Sequence, residues 1–326
     1  MSSALATFAA VSADSVVALP SARDDAARFI SHPDPAHSTL SEPEWQARRL
    51  AHEARVRAWT DPHQARAAAG RRHPVCDFLF TYYSFRPAWL RRWHPGPRVV
   101  LQGAAAREFL RRPEYRETAE GVALNLGADA VTPERRRSVG WMRDLLAITA
   151  ERPPVFGCHG LHEWAMLYQQ GIEEVRHQGW PLRFSLAEIR EIVAANPPRC
   201  THFDAFRHFA PAAQPLNRWS LSRDDIPAME QRGCLHANMD LYKWAFKLAP
   251  FTPGELLADC FALAWEIREV DMRASPYDLL ALGLPPIRIE TPEGRAEYEG
   301  VQRTFAERAQ PLRRQLHALC ETMLGS

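Results

Sequence analysis

The chain of 326 residues lacks most of the features that place a protein quickly. It has almost no net charge: 40 Lys and Arg stand against 39 Asp and Glu, giving +1, so no global field draws it to nucleic acid or to a membrane surface. Any such binding must come from a local patch. It has no CxxC pair; Cys76, Cys158, Cys200, Cys234, Cys260 and Cys320 are scattered along the chain, which argues against a zinc ribbon or a small disulfide framework. The expectation is reduced, mostly buried thiols in a cytoplasmic protein. No run of about eighteen apolar residues occurs, and MSSALATFAAVSADSVVALP lacks the basic segment of a signal peptide, so no membrane partner is expected. HExxH is missing, and the one ExxH, Glu174 to His177, has no second copy; neither a zincin nor a ferritin-like di-iron bundle is signalled.

What is present is ample apolar content, 46%, enough to bury a full core. Residues 1–40, rich in Ala, Ser, Asp and Pro without a sustained period, read as a partly disordered tail. Residues 41–326 read as a single mainly α domain with short strands expected at 98–103 and 181–185. Ser41 with Glu44 three positions on is a capping-box pattern that opens a first helix, and a second is expected from Pro62 to Gly70. Thr132 and Pro133 start a helix over 132–152, Ser185 starts another that ends near Asn196, and Thr252, Pro253 and Glu255 open a third. That last helix carries an apolar seam of Leu256, Cys260, Leu263, Ile267 and Val270. A long outer helix, kinked near Pro311, is expected over 291–324.

Polar side chains set inside apolar helical patterns mark the candidate sites. His236, Asp240 and Lys243 fall at i, i+4 and i+7 and share one helix face, with Asn238 beside them. Asp204 and His208 are spaced to pair on a helix, with His202 next to them; an Asp–His pair can poise a base near neutral pH. His159, His162 and Glu163 share a helical turn, a geometry open to metal ligation or to a structural role. Asp271, Arg273 and Asp278 crowd the end of a later helix. The densest aromatic stretch, 73–96, interleaves Tyr82, Trp89 and Trp93 with Arg86, Arg91 and Arg92; it reads either as a base-stacking surface or as a core with arginines reaching solvent.

Five segments, HPVCDFLFTYYSFRPAWLRRWHPG, FGCHGLHEWAM, RCTHFDAFRHF, GCLHANMDLYKWAFKL and MRASPYDL, resemble an actinobacterial family that carries the label 3-methyladenine DNA glycosylase. The resemblance covers residues 70–310. It implies a DNA partner and hydrolysis of an N-glycosidic bond to an extruded alkylated base, without a cofactor. The LPGxG hairpin of helix-hairpin-helix glycosylases is absent; WHPGPRVVLQG lacks its second glycine.

Under that reading Asp240 or Asp204 assists water, His236 or His202 orients it, and Lys243 lies alongside. Tyr82 and Trp89 stack on the base, Arg91, Arg92 and Arg135 to Arg137 contact phosphate, and Asn238, Asp271 and Arg273 complete the substrate contacts. Two other readings stand beside it. One is a helical metalloenzyme, oxidase or hydrolase, in which His159, His162 and Glu163 meet His202, Asp204 or His236 around a divalent ion such as iron or zinc. The other is a helical binding module whose polar clusters are satisfied core networks.

Overall fold

Ser41 opens the first long helix as its capping box dictates, its N–H donating to the Glu44 carboxylate at 2.8 Å. The computed structural model describes residues 38–174 and 179–325; most of the expected tail and His177 lie outside them. Helix α1 (Glu42–Ala68) runs straight through Pro62, so the separate helix expected from that proline is not formed. A mid-helix proline costs roughly 3 kcal/mol. Packing around it offsets the loss: Trp59 meets Phe261 at 5.0 Å, Arg55 pairs with Asp259 at 2.6 Å, and Arg91 grips Thr60 at 2.7 Å and also binds Asp61.

The aromatic stretch folds into two short helices, α2 (Phe78–Tyr82) and α3 (Pro87–Leu90). A small sheet follows, of order β1-β2-β4-β3, from β1 (Ser38–Leu40), β2 (Val99–Leu101), β3 (Tyr115–Thr118) and β4 (Gly121–Leu124). Strand β1 runs parallel to β2 and the other pairs are antiparallel. The strand expected at 181–185 is not there. Only Leu182 bridges to Tyr277, because its partner is a short loop that offers two backbone bonds, Arg183 to Pro276 and Asp278 to Pro181, both 2.8 Å.

The remaining helices are α4 (Pro133–Glu151), α5 (Leu161–Ala165), α6 (Leu186–Ala195), α7 (Phe203–Phe206), α8 (Ile226–Met229), α9 (Leu235–Lys247), α10 (Gly254–Arg273) and α11 (Pro292–Leu324). The fold is thus mainly α with one small sheet. Thr132, Ser185 and Thr291 cap α4, α6 and α11 as their sequences require, each side chain accepting a backbone N–H. Helix α10 begins one residue later than expected: Pro253 takes the cap position and the Thr252 hydroxyl donates instead to the Ala245 carbonyl at 2.7 Å.

Helix α9 is the axis of the molecule. It lies between α10 and α11, α4 backs onto α11, and α1 covers α10. Every residue of α9 other than Lys243 and Lys247 is buried. A helix buried all round is normally apolar; this one carries His236, Asn238 and Asp240 into the interior, so each needs a partner there.

Candidate functional site

His236 and Asp240, one turn apart on α9, face two groups of buried polar side chains delivered by distant parts of the chain. In the first group His162 of α5 and Asp271 of α10 meet His236, and one donor atom from each lies within 4.8 Å of the others. Helix α5 is aimed by the loop before it, where Gly157, His159 and Gly160 take positive φ values of 118°, 47° and 70°. A side chain at Gly160 is strained by its φ of 70° and crowded, since a Cβ there would sit 3.2 Å from that of Ala274 and 3.3 Å from the Tyr298 ring. His162 Nε2 approaches Asp271 Oδ1 at 2.9 Å and Oδ2 at 3.2 Å. Arg268 clamps the carboxylate from behind, with Nη1 3.1 Å from Asp271 Oδ2 and 2.7 Å from Glu163 Oε1, its guanidinium 3.6 Å from the Phe78 ring centre.

The second group is His202, Glu230 and Asp240. His202 Nε2 lies 3.4 Å from Asp240 Oδ2 and 3.6 Å from Glu230 Oε1, while its Nδ1 accepts the Ala205 N–H as the cap of α7. An imidazole that accepts at Nδ1 carries its proton at Nε2, so this edge donates to Asp240 and only faces Glu230. Tyr83 O–H donates to Asp240 Oδ1 at 2.6 Å, and Lys243 Nζ donates to Asp240 Oδ2 at 2.7 Å and to Asp204 Oδ2 at 3.1 Å. Asp240 is thus the hub of a hydrogen-bonded network with His202, Tyr83 and Lys243, and Glu230 stands at its edge. The His236 ring links the two groups, 4.4 Å from His162 edge-on and 5.4 Å from His202 in a stacked arrangement.

Burial and charge set the protonation of these residues. Burial disfavours an imidazolium at His162, but the Asp271 charge outweighs it and raises the group well above the usual histidine range. Asp271, despite burial, is held well below the carboxylate range by His162. His236 is pushed down to about 3 by burial and by the His162 charge, so it is a neutral donor. Burial opposes ionisation of Asp240, yet Lys243 and His202 keep it far below its ordinary value; Glu230 goes the other way, raised by burial to about 6.

Three thiols lie near the first group. Cys158, Cys200 and Cys234 share with His162 and His236 the lining of a cavity of about 10 Å³, room for about one water molecule. A second cavity of about 10 Å³, on the other side of His236, is lined by Tyr82, Asp204, His208 and Arg268.

The candidates therefore separate. His162, His202, His236, Asp240 and Asp271 converge, with Lys243 and Asp204 at the edge. Asp204 does not form the helical pair with His208 that its spacing allows, since α7 ends at Phe206 and the carboxylate turns to Lys243 and to Arg207 at 3.0 Å. Glu163 is held by Arg268, and His159 faces Glu299 at 3.9 Å, so neither reaches the group of His162. Asn238 points away from the site, giving Nδ2 to the Arg232 carbonyl and accepting from Arg313 at 2.6 Å; Arg273 binds the Pro285 carbonyl at 2.9 Å. In the aromatic stretch, Tyr82 stacks on Phe78 at 4.9 Å and Trp89 lies over Phe246 at 5.8 Å with Arg92 across its outer face. Arg91 is taken up by Thr60, Asp61 and Gln64. Sequence reasoning missed Tyr83, Glu230, Arg268 and the three thiols. Tyr83 lies 157 positions from Asp240, and no spacing in the sequence relates the two.

Comparison with family models, with curated proteins and with solved structures returns no match. Among the described residues no helix is long and apolar enough to cross a membrane.

Proposed function

We propose that the protein is a metal-dependent enzyme whose ion is held by His162, His236 and Asp271. The observation that carries this reading is the donor set: two imidazoles and one carboxylate, all buried, with donor atoms within 4.8 Å of one another. Ligands at about 2.1 Å from a common ion stand roughly 3 to 4 Å apart, which suits that spacing. Asp271 Oδ1 lies 2.9 Å from His162 Nε2, and the Cys158 thiol engages the same imidazole. Two histidines and a carboxylate serve both non-haem iron and zinc enzymes, so oxidase and hydrolase chemistry are both open to the site.

The ion supplies Lewis acidity or a redox centre. The chain supplies the rest. Arg268 and Glu163 fix the Asp271 carboxylate, and the His202, Asp240 and Lys243 network stands behind His236 as a proton reservoir. A metal and a proton compete for His162 Nε2, so binding releases a proton. Elemental analysis of the purified chain tests the reading: about one iron, zinc or manganese ion per chain is expected, lost in His162→Ala and Asp271→Ala. Absence of metal after both purification and reconstitution overturns it.

A second reading, the base-releasing hydrolase that the resemblance implies, draws on Asp204. Its burial is outweighed by Lys243, which keeps the carboxylate ionised at the wall of an open cleft, where it could assist water. Release of methylated base from alkylated DNA, abolished in Asp204→Asn, is the expected result; no release by the wild-type chain removes this reading.

A further inference from the structure

The neutral chain concentrates positive charge in one place. An open cleft of about 1250 Å³ runs over the outer ends of α4 and α9, and six cations line it: Arg135, Arg137, Arg207, Arg223, Lys243 and Lys247. Only Asp204 and Asp224 oppose them, an excess of four in a protein whose total is +1. The cations come from four separate stretches of chain, so the fold, not a run of basic sequence, assembles the patch. Three of the six are engaged. Lys243 holds Asp204 and Asp240, Arg207 holds Asp204, and Arg135 binds the Ala130 carbonyl at 2.8 Å. Arg137, Arg223 and Lys247 have no carboxylate partner among the described residues.

The cleft also offers a flat apolar surface. Trp141 is 43% exposed and stands 5.6 Å from Trp244. Trp244 in turn lies beneath Lys243 and Lys247, whose Nζ atoms are 4.4 and 5.4 Å from its ring centre. Unpaired guanidinium and ammonium groups recognise phosphate through charge-assisted hydrogen bonds, and an exposed indole recognises a planar ring.

We infer that this cleft binds a small phosphorylated molecule with an aromatic ring, of the nucleoside diphosphate kind. Arg137, Arg223 and Lys247 take the phosphates, and Trp141 takes the ring. A mononucleotide suits the cleft better than a nucleic-acid strand. Single-strand grooves place successive bases on successive aromatic rings along a basic track, whereas here one exposed indole lines the cleft in a chain with no basic stripe. Asp204 lines both the cleft and the small cavity beside His236, so the bound molecule lies one side chain away from the His162 group. The cleft itself owes nothing to a metal.

Calorimetric titration of the full chain in excess EDTA tests this without the metal site. ADP is expected to bind more tightly than AMP, pyrophosphate to bind, and adenosine to bind weakly. Arg137→Gln, Arg223→Gln and Lys247→Gln, all at exposed positions, each weaken ADP by about tenfold. Trp141→Ala weakens ADP and leaves pyrophosphate unchanged. The inference is overturned if ADP fails to bind at millimolar concentration, or if the three charge variants bind it as the wild type does. It is also overturned if a single-stranded oligonucleotide binds far more tightly than ADP with an affinity that grows with its length, an outcome that assigns the cleft to nucleic acid.

Discussion

Lys243 Nζ lies 2.7 Å from Asp240 Oδ2, one turn along α9, and the pair is enclosed by His202 and Tyr83. Removing one member leaves the other charge in the interior, which costs far more than removing both. Asp240→Ala is expected to destabilise the fold by about 3 kcal/mol in urea denaturation. The double variant with Lys243→Met should recover part of that loss. Equal stability of the single and double variants contradicts the coupling.

Glu230 gives a pH signature. Its folded-state pKa of about 6 stands above the ordinary 4.5, so the native state holds a proton that the unfolded chain has already released between these values. Its contribution to stability is therefore full below pH 4.5 and is lost as pH rises through 6. Glu230→Gln removes the titration. The variant should match the wild type in its pH-dependent term near pH 4 and gain about 2 kcal/mol relative to it by pH 7, read from denaturation curves across the range. A constant difference across that range rejects the assignment.

Metal binding should be visible in stability as well as in composition. An ion bound at 100 to 1,000 times its dissociation constant stabilises the native state by about 3 to 4 kcal/mol. EDTA is thus expected to lower the thermal midpoint of the wild-type chain and to leave that of His162→Ala unmoved. The same chelator response in both chains would place the ion elsewhere.

Asn238 separates structure from function. Its amide oxygen accepts from Arg313, a guanidinium 1% exposed whose pKa burial lowers to about 10. Asn238→Leu should cost about 2 kcal/mol, because Arg313 Nη2 loses its acceptor in the interior while Nη1 keeps Gln310. Metal content and ADP affinity should stay at wild-type values in the folded fraction; a loss of either returns Asn238 to the site.

Much of this architecture was legible in the residues. The caps at Ser41, Thr132, Ser185 and Thr291 are local chemistry, readable within four positions of sequence, and each stands where its pattern put it. Pro62 misled because its local cost was overridden by contacts from residues 30 and 200 positions away, Arg91 and Phe261. The face shared by His236 and Asp240 followed from helical spacing. Its partners did not: His162, His202 and Asp271 reach it by tertiary packing, and no periodicity relates α5, α7 and α10. The cleft was invisible for the same reason. The triplet Arg135 to Arg137 was legible as a phosphate-contacting run, but only folding sets two of its members beside Lys243, Lys247, Arg207 and Arg223.

His236 touches both buried groups, and this makes it a shared variable. A substitution there cannot be charged to ion binding alone or to the proton network alone, because the ring that faces His162 on its edge also stacks on His202. Variants in the two groups, though their outer members lie on different helices, should fail to add when combined, and the non-additive part should vanish once His236 has been replaced.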